Sequence, residues 1–135
     1  MAAKDMLIIK KGYDFSKWLL HHTGKFPKSH RFSVAVKLEN GILEFIRFTT
    51  IANMRRDKLP LLTRADETLA WLRLLFRLSF DMRFINIKSY EFGSRQMDEL
   101  GRLLGGSNSL SGPFSLLKSM GLEDLKKNPN ADIFT

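Results

Sequence analysis

The stretch Ala35-Val36-Lys37-Leu38-Glu39-Asn40-Gly41-Ile42-Leu43-Glu44-Phe45-Ile46-Arg47-Phe48-Thr49-Thr50-Ile51-Ala52 decides the fold. Within it Ala35, Leu38, Ile42, Phe45, Thr49 and Ala52 step by 3, 4, 3, 4, 3. That spacing draws one apolar stripe along a helix and excludes the two-residue alternation of a strand. The helix is expected from about Ser29 to Met54, with Ser29 capping its first turn. Gly41 costs such a helix up to about 1 kcal/mol relative to alanine. A glycine on the stripe therefore implies that a neighbouring helix comes close.

Working outward, Arg55 to Pro60 form a turn, with Asp57 a candidate cap and Pro60 tolerated in a first helical turn. Leu62, Ala65, Leu69, Leu72, Phe76 and Ser79 then repeat the same spacing. Leu61, Leu75 and Leu78 widen that stripe, so the third helix is expected to be covered on two sides. Upstream, Lys4 to His22 place Ile8, Ile9, Tyr13, Phe15, Leu19 and Leu20 at helical spacing, with Gly24 as the stop and Pro27 a barrier to continuation. Downstream, Asn86 to Leu104 carry Tyr90, Ser94, Met97, Gly101 and Leu104, a stripe with small residues that favours close packing. Turns of a few residues make successive helices antiparallel. The expected fold is all-α: an antiparallel up-down-up-down four-helix bundle over residues 1–106, with a flexible C-terminal tail.

The tail, residues 107–135, begins in the polar run Gly105-Gly106-Ser107-Asn108-Ser109-Leu110-Ser111-Gly112. One short helix is expected from Pro113 to Leu125, ordered at most against another chain. At 135 residues, with 44% hydrophobic and 27% charged side chains, the composition excludes wholesale disorder and fits one domain. No apolar run is long enough to span a bilayer, and the opening residues lack a signal-peptide core. Without cysteine there is no disulfide or thiolate site. A cytoplasmic protein that needs no cofactor and contacts no membrane is expected.

No catalytic or metal pattern emerges from the polar residues. His21 and His22 point about 100° apart on a helix and cannot chelate one ion as a pair separated by a full turn does. Asp66-Glu67, Asp98-Glu99 and Glu123-Asp124 read as solvated or first-turn charges. No nucleophile elbow, metal-binding His pair or phosphate-cradling loop occurs. The chain is expected not to be an enzyme.

Charge is more informative. The formal net charge is +8, and residues 1–60 hold 12 basic against 5 acidic side chains. Segregated positive charge points to a polyanion, nucleic acid ahead of membrane. Lys25, Lys28 and Arg31 flank the first turn, and Arg55, Arg56 and Lys58 the second, one helix length away. With Lys10, Lys11, Lys17 and Lys37 they are expected to mark a basic track that contacts phosphates without reading bases. Arg73 and Arg77 add a pair on the third helix. Arg77 has Asp81 within reach on the same helix. Arg73 has no such acid, which leaves two readings: a bridge to Asp98 or Glu99, or a contact to nucleic acid or a protein partner. Trp18 and Phe84 either stack on bases or pack at the edge of the bundle.

Several segments, in order, carry a family likeness: Phe26-Pro27-Lys28-Ser29-His30-Arg31-Phe32, Arg56-Asp57-Lys58-Leu59-Pro60-Leu61-Leu62, Ala65-Asp66, Leu72-Arg73-Leu74-Leu75-Phe76-Arg77-Leu78, Tyr90-Glu91 and Glu99-Leu100-Gly101-Arg102-Leu103-Leu104-Gly105-Gly106. Together they resemble the accessory variability determinant (Avd) proteins of diversity-generating retroelements. These belong to a wider four-helix-bundle group that includes proteins encoded in intervening sequences of ribosomal RNA genes. The resemblance implies a basic homopentamer that binds template RNA or DNA and associates with a reverse transcriptase during mutagenic retrohoming. It covers about residues 5–106. Where family members often carry an aromatic residue after Gly-Gly, this chain has Ser107. The alternative is a ribosomal RNA intervening-sequence-type bundle acting as a generic protein-interaction module.

Overall fold

The computed structural model describes residues 3–105, which form four α-helices: α1 (Ala3–Thr23), α2 (Val36–Asn53), α3 (Leu59–Asp81) and α4 (Ile87–Leu104). Among the described residues there is no strand. Helix α1 packs on α2 and α4, and α3 packs on α2 and α4, which closes an up-down-up-down bundle. The expected tail, including the helix at Pro113 to Leu125, lies outside the described residues.

The stripe of α2 is buried throughout: Ala35, Leu38, Ile42, Phe45, Thr49 and Ala52 all face the core. On α3 they meet Ala65, Leu69, Leu72, Leu75, Phe76 and Ser79. The wider coverage expected of α3 stops at Leu78, which is exposed, as are Tyr13 and Leu20 on α1. These three stand beside the stripes rather than on them. The core-facing row of α1 is instead Ile8, Gly12, Phe15, Leu19 and Thr23.

Two glycines set the helix spacing. A Cβ on Gly41 would come within 2.6 Å of Leu72 Cδ2, so α2 and α3 meet at van der Waals contact through this notch. A Cβ on Gly93 would overlap the outer edge of the Phe76 ring and lie 3.2 Å from Trp18. Phe76 is held in turn by stacking on Tyr90 at 5.3 Å between centroids, and Tyr90 stacks on Phe80 at 4.6 Å. An aromatic ladder therefore fills the α3–α4 seam.

The turns depart from expectation in two places. Ser29 does not cap α2: residues Lys28–His30 form a 3-10 turn and Arg31–Ala35 a π-helical turn, and regular α2 begins only at Val36. The α1–α2 junction is tied differently, by Thr23 Oγ1, which donates to Glu39 Oε2 at 2.5 Å. Nor does Asp57 cap α3. Lys58 precedes its first turn without a side-chain cap, and Lys58 Nζ donates to Ala52 O at 3.2 Å, closing the end of α2. Pro60 sits in the first turn of α3, where its missing N–H has no helical partner to lose.

The α3–α4 turn is a Schellman motif, with Phe84 N–H donating to Ser79 O and Arg83 N–H to Phe80 O. Arg83 adopts φ 64° at the position usually held by glycine. Asn86 caps α4 by accepting from Ser89 N at 2.8 Å, and Gly105, at φ 146°, ends it.

The two glycine notches differ in what surrounds them, and this predicts unequal responses to alanine. Gly41→Ala meets a rotatable Leu72 end and gains helix propensity, so its net effect should stay within about 1 kcal/mol. Gly93→Ala meets a ring pinned in the aromatic ladder and should destabilise by about 1–3 kcal/mol. Urea unfolding of both variants measures the difference.

Candidate nucleic-acid interface

The cations sort into three groups. The first is interior. Arg73 and Arg77 are only 3% and 2% exposed, which corrects their expected contact with nucleic acid or polymerase; of the two readings open for Arg73, the bridge to Asp98 is the one formed. Arg73 Nη1 pairs with Asp98 Oδ1 at 2.6 Å, and Nη2 donates to Met97 O at 3.0 Å, joining α3 to α4. Arg77 Nε pairs with Asp81 Oδ1 at 2.9 Å, and its guanidinium also lies against the Tyr90 hydroxyl. Both arginines follow stripe residues by one position and sit on the flank of α3 that α4 covers. A polyanion outside the fold does not reach them.

The second group lies along the sides, where Lys10 and Lys11 are neutralised locally. Lys10 pairs with Asp14 at 2.9 Å, and its hydrogen bond holds the Asp14 carboxyl below its ordinary pKa. Lys11 pairs with Glu99 across α1 and α4 at 2.9 Å, and Lys17 stands over the Tyr13 ring. Lys37, exposed on α2, lines an open groove of about 440 Å³ with Asn40, Gly41, Glu44, Phe48, Thr68 and Trp71. The continuous track expected along the rod is therefore interrupted, because three of its lysines have partners of their own.

The third group gathers at the ends. Lys25, Lys28 and Arg31 are exposed at the α1–α2 turn, and none pairs with a carboxylate among the described residues. The α3–α4 turn lies at the same end, since Phe84 packs on Phe26 at 5.2 Å and on His30 at 4.8 Å. It adds Arg83 and Lys88, both exposed. Lys88 stands in the first turn of α4, where the helix dipole disfavours a cation. Of the acids there, Glu39 accepts from Thr23 and Asp81 from Arg77, while Glu91 stands one turn further along α4.

The opposite end carries exposed Arg55, Arg56 and Arg102 with half-buried Lys58 and exposed Asp57. Residue pattern alone did not single out Arg83, Lys88 or Arg102. The bundle topology is the signal that places them, because it brings alternate turns to a common end.

Trp18 and Phe84 are packing residues. Trp18 stacks on His22 at 4.0 Å and touches Phe92 at 5.0 Å, while Phe84 closes the α1–α2 turn. Among the described residues no three His, Asp or Glu side chains converge to hold a metal ion. No helix among them is long and apolar enough to cross a membrane.

The buried pair predicts that removing one charge costs far more than removing both. Arg73→Met should lose about 3–5 kcal/mol by stranding Asp98 in the interior. Arg73→Met with Asp98→Leu should recover a large part of that in chemical unfolding, and Arg73→Glu with Arg77→Glu should abolish the cooperative transition. Tyr90 supplies a pH test. Burial is the main cause that raises its phenol pKa, so the folded state disfavours the phenolate more than the unfolded state does. Its contribution is complete below the ordinary phenol pKa of about 10 and is lost as pH rises through the higher folded value. The fall in Tm above pH 10 should be shallower in Tyr90→Phe.

Comparison with known proteins gives a family match. No curated protein and no solved structure matches the chain. The family model described as bAvd-like matches residues 6–109, the whole bundle from the first turns of α1 to just past the Gly105 stop. The chain therefore belongs to the bAvd-like family.

Proposed function

We propose that this chain is a non-catalytic, nucleic-acid-binding accessory scaffold for the reverse transcriptase of a diversity-generating retroelement, acting in template-RNA-primed mutagenic cDNA synthesis. One observation carries the proposal beyond family membership. Lys25, Lys28 and Arg31 at one end of a stiff bundle and Arg55 and Arg56 at the other are exposed and pair with no carboxylate among the described residues, while Lys10 and Lys11 on its sides are neutralised by Asp14 and Glu99. At 1.5 Å per residue the 18-residue α2 separates these ends by about 27 Å. Two cationic ends on one rigid body grip a phosphate backbone at two points and hold the intervening nucleic acid in a defined place. Such contacts position a polymer and carry no base sequence, which suits a scaffold.

Self-association, as the family's homopentamer, repeats each end around a ring and converts weak individual contacts into avidity. Apolar side chains exposed on the helices, among them Met6, Leu7, Leu43, Trp71 and Leu78, offer area for contacts between copies or for the polymerase. The protein's part in the reaction is to place template RNA and enzyme together, with the chemistry left to the polymerase.

Salt dependence tests the proposal. Affinity for a labelled duplex should fall linearly in a log–log plot, with a slope of about −0.9 per phosphate neutralised, or about −0.7 on a single strand. Lys25→Gln, Lys28→Gln and Arg31→Gln combined should flatten the duplex slope by about 0.9 for each phosphate they cease to neutralise, and Arg55→Gln with Arg56→Gln should do the same from the other end. Binding that is undetectable at low ionic strength, in a protein that still self-associates in light scattering, would favour the generic protein-interaction module instead. Co-purification with the polymerase tests the partnership.

A further inference from the structure

Phe32 is 88% exposed, the highest exposure of any large hydrophobic side chain among the described residues. It is not on a loose loop. Its backbone belongs to the π-helical turn Arg31–Ala35, a rare backbone form that is frequent at functional sites. The 3-10 turn just before it is anchored by the contacts of Phe84 with His30 and Phe26. The ring is thus presented to solvent from a held turn. Its exposed neighbours in sequence are Pro27, Lys28, Ser29, Arg31 and Ser33, so cations and hydroxyls flank the ring on this turn.

The other end of the bundle makes the contrast. Its exposed apolar side chains are Met54 and Leu59, at 75% and 71%, and neither has a flat π-face. We infer that the α1–α2 end is a binding site for unpaired nucleotides: Phe32 stacks on a base while Lys28 and Arg31 engage the phosphates on either side, with Lys25 extending the phosphate path. The α2–α3 end holds backbone only.

This inference rests on the nucleic-acid binding proposed above and adds an unpaired-base contact to one of the two cationic ends. A single aromatic ring bracketed by cations fits a ligand that repeats a π-surface and a negative charge at every unit. An unpaired strand has both, whereas a duplex hides its base faces in its own stack. Stacking of this kind tolerates any base, which suits a template of varied sequence.

The test uses the full chain with an oligo(U) RNA and a blunt DNA duplex of equal length. Phe32→Ala should weaken oligo(U) binding by about 5- to 150-fold and leave duplex affinity and both salt slopes unchanged. Phe32→Trp should retain affinity and show fluorescence quenching on oligo(U). Equal losses on both ligands, or none on either, would overturn the site while leaving the salt-dependent reading intact. A changed oligomer mass with unchanged oligo(U) affinity would overturn it too, by placing Phe32 in a contact between copies. Wild-type protein that binds neither ligand would remove this site together with the nucleic-acid function beneath it.

Discussion

The Arg73–Asp98 pair sits where α3 and α4 cross, with both partners buried and a guanidinium-to-carboxylate distance of 2.6 Å. In a medium of low polarizability an ion pair this close is strongly directional, and either charge alone would be severely penalised. The pair therefore admits one axial and rotational setting of α4 on α3. Met97 O accepts a second bond from the same guanidinium, while Arg73 Nε has no partner, so the contact is not optimised for stability. Its stronger effect is on specificity: a slip by one turn would strand a charge. Arg77, bonded to Asp81 and lying against Tyr90, extends the same polar seam one turn further.

Around that seam the bundle is stiffened by close approach. Gly41 admits Leu72 and Gly93 admits the Phe76 ring, and the stacked Phe76, Tyr90 and Phe80 leave no room for the helices to slide. Rigidity matters for the exterior. Cations on a deformable surface retreat to nearby carboxylates, but those on the turns of a locked bundle stay where the helix ends put them. Lys10, Lys11 and Lys17 on the side faces show the other outcome, each held by a neighbouring acid or ring. Net charge thus becomes concentrated at the ends without any single residue being exceptional.

The α1–α2 end is where several locally unfavourable choices meet. Lys88 opposes the dipole of α4, Arg83 adopts a left-handed backbone in place of glycine, Phe32 remains in water and the chain runs through a π-helical turn. Each disfavours the isolated fold. Their coincidence at one end suggests that a bound anion relieves the charge repulsion and covers the ring. Residues 6–109 of this chain match the bAvd-like family, and in the role proposed for it this end is the one that would hold nucleic acid.

The chain's one-dimensional pattern was enough for the helices and their core faces. Ala35, Leu38, Ile42, Phe45, Thr49 and Ala52 are buried as their spacing requires, because helical period is a local property and burial follows from it. The Gly41 notch was legible for a related reason, since a glycine beside the stripe marks a close helix approach. Local pattern did not reveal which flank of α3 its neighbour covers, so it left Arg73 open between a bridge to α4 and an outward contact, and only the packing of α4 encloses Arg73 and Arg77. Nor did it show that Ser29 and Asp57 leave their helix ends uncapped, since the first turns are set by packing of the connecting segments. Charge sign and number are written in the residues. Which charges remain without a partner depends on the acids that three-dimensional packing brings within a few ångströms, and only the tertiary structure decided that.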